Sequence, residues 1–193
     1  MIFALIGQSS SGKSTIESML VDLGYSKIVS YTTRPMRKGE KDGVDYHFVD
    51  HPTFEALAQK GFFTETAQYR DWHYGLSLNG IDYKNKDYIV VVTISGYMEL
   101  RKAVGKENIV AIHIKVDERE RIIRQLKRGD DVDEVIRRIY ADRKDFSGVE
   151  DICDFTVLNE KIEKTVEDVK ALIWGIKITK HIVEDISKRK RSI

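Results

Sequence analysis

One cysteine, Cys153, and two prolines stand in a chain of 193 residues. A single thiol excludes an intrachain disulfide framework and fits a reducing compartment, so a cytoplasmic location is expected. Charge of either sign is not in excess: 32 Lys+Arg face 31 Asp+Glu, a net charge of +1. Such a balance excludes a general affinity for nucleic acid or anionic membranes, and no stable partner of either kind is expected. No apolar run approaches the ~20 residues of a membrane-spanning helix. The amino-terminal apolar run is too short for a signal peptide and reads as a structural strand. The five histidines (His47, His51, His73, His113 and His181) show no metal-ligand spacing, and no internal repeat is visible. One third of the residues are charged while 41% are hydrophobic, which excludes disorder and leaves a single domain with a sizeable core.

What is present is a loop. Residues 7–15 read GQSSSGKST, matching the phosphate-loop pattern G-x-x-x-x-G-K-[ST]. An apolar run at 1–6 precedes it, fit for a buried parallel strand. Ile16, Met19, Leu20 and Leu23 follow at helical spacing, with Gly24 as the stop. Gly7 and Gly12 permit a tight turn, so that the N–H groups of Ser9, Ser10, Ser11 and their neighbours up to Thr15 converge on phosphate oxygens. The helix beginning near Lys13 adds its positive dipole end. Lys13 is placed to reach the β- and γ-phosphates of ATP, and the Ser14 hydroxyl to ligate Mg²⁺.

Strands are expected at 26–30, 43–49, 87–93, 109–114 and 155–158, and a hairpin at 62–77 around Arg70 and Asp71. Asp50 and Pro52 open a helix that Gly61 ends. A short helix spans 98–104. Asp117 with Glu120, and Asp131 with Glu134, resemble capping boxes heading two helices rich in arginine. Strands alternating with helices imply a parallel α/β sheet, with the phosphate loop at the carboxyl edge of the first strand. His113 lies inside a buried strand and reads as structural. Arg34, Arg37 and Lys38 cluster beside Tyr46. Taken alone, that segment is a solvated basic loop; near a phosphate loop it becomes a second anion site. Arg124, Arg128 and Arg138 belong to a helical hairpin that is either a solvated surface or a phosphoryl-transfer lid. The basic stretch at 188–191 reads as a solvated helix end.

Together these segments resemble the guanylate kinase family over about residues 1–172. The densest match is SYTTRPMR at 30–37, Gly39-Glu40 and DGVDYHF at 42–48. Phe62-Phe63 with Glu65, Tyr74-Gly75, Arg124, Arg128-Gly129, Arg138 and Asn159 add to it. The resemblance implies an α/β, P-loop nucleoside monophosphate kinase-like parallel core, with a small mixed-β acceptor-binding lobe and a helical lid. The core is expected at 1–30, 84–116 and 150–193, the lobe at 31–83 and the arginine-rich lid at 117–149. It implies MgATP-dependent phosphoryl transfer to GMP or dGMP. Ser30 and Glu65 match residues that read guanine. Arg34, Arg37, Tyr46 and Tyr74 match those that hold the acceptor phosphate. Lys13, Arg124, Arg128 and Arg138 match the catalytic cations, and Asn159 falls near the adenine contact.

Three departures keep other readings open. The position after Tyr74-Gly75, usually Ser or Thr against the base, is Leu76, with Ser77 next as the candidate base contact. The usual Asp-x-Asp before Gln-Gly is replaced by Val91-Val92-Thr93 before Ser95-Gly96. The segment 75–87 is shorter than usual, so a helix there is trimmed. Another monophosphate or a sugar phosphate as acceptor, or a catalytically weak nucleotide- or protein-binding module, fits these changes as alternatives. Oligomeric state is not readable. The loop itself generates one prediction: Lys13→Ala lowers turnover at least ~10²-fold by removing a transition-state charge contact, measured by coupled ADP release; unchanged turnover would refute the role.

Overall fold

The computed structural model describes residues 1–69 and 71–190, without the side chains of Tyr69 and 184–190. The hairpin-turn Arg70 and the side chains of the basic stretch 188–191 therefore lie outside the described residues. The central strand β1 (Ile2–Ile6) is inaccessible to solvent along its whole length. Its alternating side chains feed two layers, as period-2 geometry requires. Ile2, Ala4 and Ile6 pack against Tyr97, Leu100 and Val104 of α3 (Ile94–Val104). Phe3 and Leu5 pack on Ile16 and Leu20 of α1 (Lys13–Asp22). Val166, Val169 and Ile173 of the long α7 (Ile162–Lys190) complete that second layer.

Beside β1 lie β7 (Tyr88–Val91) and β8 (Ile109–Lys115), with β2 (Ser26–Lys27) and β9 (Phe155–Leu158) outside them. All four pairings in this five-stranded sheet, order β2-β7-β1-β8-β9, are parallel. A parallel sheet covered on both faces explains the near-continuous apolarity of β1, β7 and β8. A second sheet, order β4-β3-β6-β5, is mixed. It contains β3 (Tyr31–Thr32), β4 (His47–Phe48), β5 (Glu65–Tyr69) and β6 (Trp72–Leu76). The helix α2 (His51–Gln59) starts where Asp50 accepts from the Thr53 N–H at 2.9 Å.

Several expected boundaries move. The strand expected at 26–30 is two residues of the core sheet; after Ile28 the chain leaves for the second sheet. The one expected at 43–49 shrinks to β4, because Asp42 and Asp45 accept backbone N–H groups from Phe48 and Lys41 and fold that stretch into turns. Helix α3 begins at Ile94, four residues early. The Thr93 hydroxyl accepts from the Gly96 N–H, making Ser95-Gly96 its first turn. Asp117 caps α4 (Glu118–Arg128) through the Arg119 N–H. Asp131 caps α5 (Val132–Asp145) through the Glu134 N–H, as its spacing predicts. A four-residue α6 (Val149–Ile152) leads into β9.

Because Leu5 is fully buried between α1 and α7, Leu5→Ala is expected to cost about 2–5 kcal/mol in urea denaturation. A loss under 1 kcal/mol would contradict this packing.

Candidate active site

β1 ends at Ile6, and the phosphate loop lies at its carboxyl edge. A Cβ at Gly7 would stand 2.6 Å from the Ile114 carbonyl oxygen, so no larger residue fits. Gly12 has φ +91°, a left-handed conformation costly to other residues, and forms the N-cap of α1. Lys13 Nζ donates to the Gly7 carbonyl at 2.6 Å and the Gln8 carbonyl at 2.9 Å. Burial pushes its ammonium down to about 8, opposed by the carboxylate of Asp142. Loop residues 10–15 line an open pocket together with Arg124, Arg128, Asn159 and Ile162. Gly7 and Ser9 are not among its lining residues, and the Ser9 N–H, expected to face phosphate, is instead donated to Asp142 at 2.9 Å.

Asn159 is nearly inaccessible, and its side-chain amide is engaged on both sides. Its Nδ2 donates to the Ser11 carbonyl at 2.8 Å, and its Oδ1 accepts from the Thr165 hydroxyl at 2.9 Å. Asn159 thus braces the loop from the edge of the pocket that it lines. Arg124 also leans on the loop, donating to the Ser10 carbonyl at 3.5 Å and the Asn159 carbonyl at 3.3 Å.

At the tip of the α4/α5 hairpin, Asp130 accepts from Arg128 through both Nε (2.9 Å) and a second guanidinium nitrogen. It also accepts from Arg138 Nη1 at 3.0 Å. Arg138 Nε reaches Glu134 at 2.6 Å. Arg128 lines the phosphate pocket; Arg138 does not, being drawn back by its two acids. Hydrogen bonding from Arg128 holds the Asp130 carboxyl below the usual carboxylate range, and the field of Arg37 from the second sheet's side adds to this.

The predicted acceptor residues gather on that second sheet. Arg34 is 5% exposed, with its guanidinium over the rings of Tyr46 and Phe48 at 5.5 and 5.7 Å. It pairs with Glu40 at 2.7 Å, and Glu40 also accepts the Arg37 N–H. Arg37 is exposed. The rings of Tyr46 and Tyr74 meet edge-on at 6.0 Å, and burial pushes the Tyr46 hydroxyl up to about 12. Ser30 uses its carbonyl to pair with the His47 N–H. The Ser77 hydroxyl accepts from the Asn79 N–H at 3.2 Å and so holds a turn. Leu76 is fully buried in the core, not turned to a ligand.

Glu65 differs from all of these. Its Oε2 is buried without a hydrogen-bond partner, and burial pushes the carboxyl up to about 7. A Cβ at Gly96 would lie 2.9 Å from that oxygen, so the carboxyl rests on the first turn of α3. An acceptor so placed is complementary to a ligand that brings N–H donors.

Two buried ion pairs escaped sequence reading. Glu17 is joined to Lys27 at 2.9 Å and accepts the Val91 N–H on the edge of β7 where its pairing with β2 has ended. Arg121 meets Asp142 at 2.7 Å, and Asp142 accepts from Ser9. The signal for both was charge at helix positions facing the core, hidden among many solvated charges.

For a divalent cation the donor set is thin. Among the described residues no group of three or more His, Cys, Asp or Glu could hold a metal, and β7 ends without a carboxylate. The Ser14 hydroxyl, exposed in the first turn of α1, lines the pocket. That suits a Mg²⁺ which arrives on a polyphosphate and keeps most of its waters, rather than one caged by protein.

A family model described as guanylate kinase matches residues 2–176. The chain is 32% identical over 177 residues to a guanylate kinase of Alkalilimnicola ehrlichii, covering 89% of this chain and 86% of that one. It is 32% identical over 179 residues to one of Thermus thermophilus, covering 89% and 80%. A crystal structure of guanylate kinase from Anaplasma phagocytophilum superposes with a TM-score of 0.75 at 27% identity, covering 91% and 85%.

The lone carboxyl predicts a pH effect. Glu65 has a folded pKa of about 7 against an ordinary 4.5. The protonated form is therefore favoured by folding: its stabilisation is complete below 4.5 and is lost as pH rises through 7, on the order of 3 kcal/mol. Glu65→Gln should flatten that loss in urea titrations of the ligand-free protein between pH 5 and 8; an equal slope in both proteins would contradict the assignment.

Proposed function

The chain belongs to the guanylate kinase family of nucleoside monophosphate kinases, and we propose that its reaction is MgATP + (d)GMP → ADP + (d)GDP. The observation that carries the guanine reading is the buried, unpartnered Glu65 carboxyl against the first turn of α3. Guanine presents N1–H and the N2 amino group side by side, and one ionised carboxylate accepts from both. Adenine has an acceptor at N1 and would leave the buried group unpaired, a loss of several-fold to many-fold in affinity. Ser30 and Ser77 are assigned secondary contacts with the base.

Arg34, Arg37, Tyr46 and Tyr74 are assigned to the acceptor phosphate. The stack over Tyr46 and the bond to Glu40 keep Arg34 preorganised, so little is reorganised when the phosphate arrives. Lys13 is assigned to the donor phosphates: its Nζ turns from the Gly7 and Gln8 carbonyls toward them. The amides of Ser10 and of residues 12–15 hold the polyphosphate, while the Ser9 N–H is kept by Asp142 and the Ser11 N–H by the Gln8 carbonyl. Arg124, Arg128 and Arg138 neutralise charge on the transferring group. Ser14 would hold Mg²⁺, which supplies further charge neutralisation on the polyphosphate when bound. Closure of the lobe at 31–83 and the helical region at 117–149 over the substrates would exclude water. No side-chain nucleophile is required. Among the described residues no helix is long and apolar enough to cross a membrane, and we place the enzyme in the cytoplasm.

Thr93 caps α3 and Leu76 is in the core, so neither replaces the polar groups common in the family at their positions. This favours, as a second reading, a different monophosphate or a sugar phosphate in the same cleft. A panel of nucleoside and sugar monophosphates with coupled ADP release decides. Turnover with GMP or dGMP at least ~10-fold above AMP, abolished in that preference by Glu65→Gln, is expected. No turnover with either guanine nucleotide would overturn the proposal.

A further inference from the structure

Arg121 and Asp142 are 3% and 8% exposed and meet at the base of the α4/α5 hairpin. A buried ion pair is weak support for stability, because apolar side chains of similar volume often serve as well. This one is not arranged for stability alone. Arg121 Nε and the neighbouring Gln125 Oε1 are buried with no hydrogen-bond partner among the described residues, each at a cost. Asp142 is fully used. Its Oδ2 accepts from Arg121 Nη1 at 2.7 Å and from the Ser9 N–H at 2.9 Å, and its Oδ1 from the Ser9 hydroxyl at 3.3 Å.

The Ser9 N–H and the Gln8 carbonyl belong to one planar peptide unit. That carbonyl accepts from Lys13 Nζ at 2.9 Å. The unit is thus gripped at both ends, by a carboxylate on its N–H and by an ammonium on its oxygen. Each charge polarises the amide in the sense that strengthens the other bond. We propose that Asp142, oriented by Arg121, is a positioning residue for Lys13: it acts through the Gln8–Ser9 peptide and ties the base of the helical hairpin to the phosphate loop. Asp142 itself touches no substrate. The proposal rests on Lys13 and its loop being the donor-phosphate site.

The test compares binding of Mg·ADP and of GMP, each measured separately by calorimetry, with melting temperature and turnover. Asp142→Ala should weaken ADP binding and lower kcat by about tenfold or more, with GMP affinity within about twofold of the unaltered protein. Asp142→Asn, which keeps an acceptor for Ser9 but loses the charge, should show a smaller loss in the same direction. The apolar double variant Arg121→Met/Asp142→Leu separates positioning from packing. It should recover the melting temperature without recovering ADP affinity. The inference is overturned if the double variant recovers both, or if Asp142→Ala and Asp142→Asn weaken GMP as much as ADP. If the unaltered protein binds no ADP, it is the donor-site reading that fails, and this inference with it.

Discussion

Lys13 keeps its ammonium against the carbonyls of Gly7 and Gln8, in a loop whose path is set by what lies on either side. On one side, the backbone of β8 crowds Gly7 until no side chain fits. On the other, Asn159 ties Ser11 down, and Asp142 ties Ser9. The loop's amides can only face inward because these contacts hold its carbonyls and outer N–H groups elsewhere. Strand β1, buried on both faces, anchors the whole arrangement. Disturb that enclosure and the cation loses its seat before any substrate arrives.

The core of this arrangement was legible in the sequence because its signals are local. A fixed spacing of Gly7, Gly12 and Lys13, an apolar strand before and a 3.6-period helix after describe one strand–loop–helix unit. The parallel sheet followed from runs such as Ile109–Lys115, where unbroken apolarity means burial on both faces. The end of β2 at Lys27 was not legible, since pairing with β7 far along the chain decides where it stops. The late start of β4 at His47 follows from the turns that Asp42 and Asp45 hold. The bonds that hold Asn159 in place were not legible either. Its amide is held by Thr165 and Ser11, and only the fold reveals that Ser11 is adjacent. Asp142 was invisible for a related reason: a charged residue on a helix reads as solvated unless the neighbour that buries it is known.

The acceptor side shows how far a carboxylate's chemistry depends on neighbours. Glu40 and Glu65 are both acids of the same sheet region, yet they are opposites. Glu40 sits between Arg34 and the Arg37 amide, and the bond from Arg34 holds its carboxyl below the usual range against the cost of burial. Glu65 has no such partner and is pushed up to about 7. One is a scaffold charge that shapes the loop carrying the arginines. The other is an unfilled valence, and unfilled valences in a folded protein point to what completes them. The pair Glu17–Lys27 adds a further link. Lys27 also donates to the Asp45 carbonyl at 3.3 Å, joining the core sheet to the turn that presents Tyr46.

Asp130 stands between Arg128 and Arg138 at the far end of the hairpin. Glu134 is shared by Arg138 and Arg137, so three guanidinium groups divide two internal counter-anions, and Asp131 and Asp133 lie in the same turn. Seen from a distance the tip is therefore close to electroneutral, and a polyphosphate in solution feels little long-range pull from it. Attraction becomes strong only at contact, when phosphate oxygens compete with Asp130 for the same N–H groups. Capture of the donor by this end of the molecule should then be governed by short-range exchange of anions, and its association rate should vary little with ionic strength.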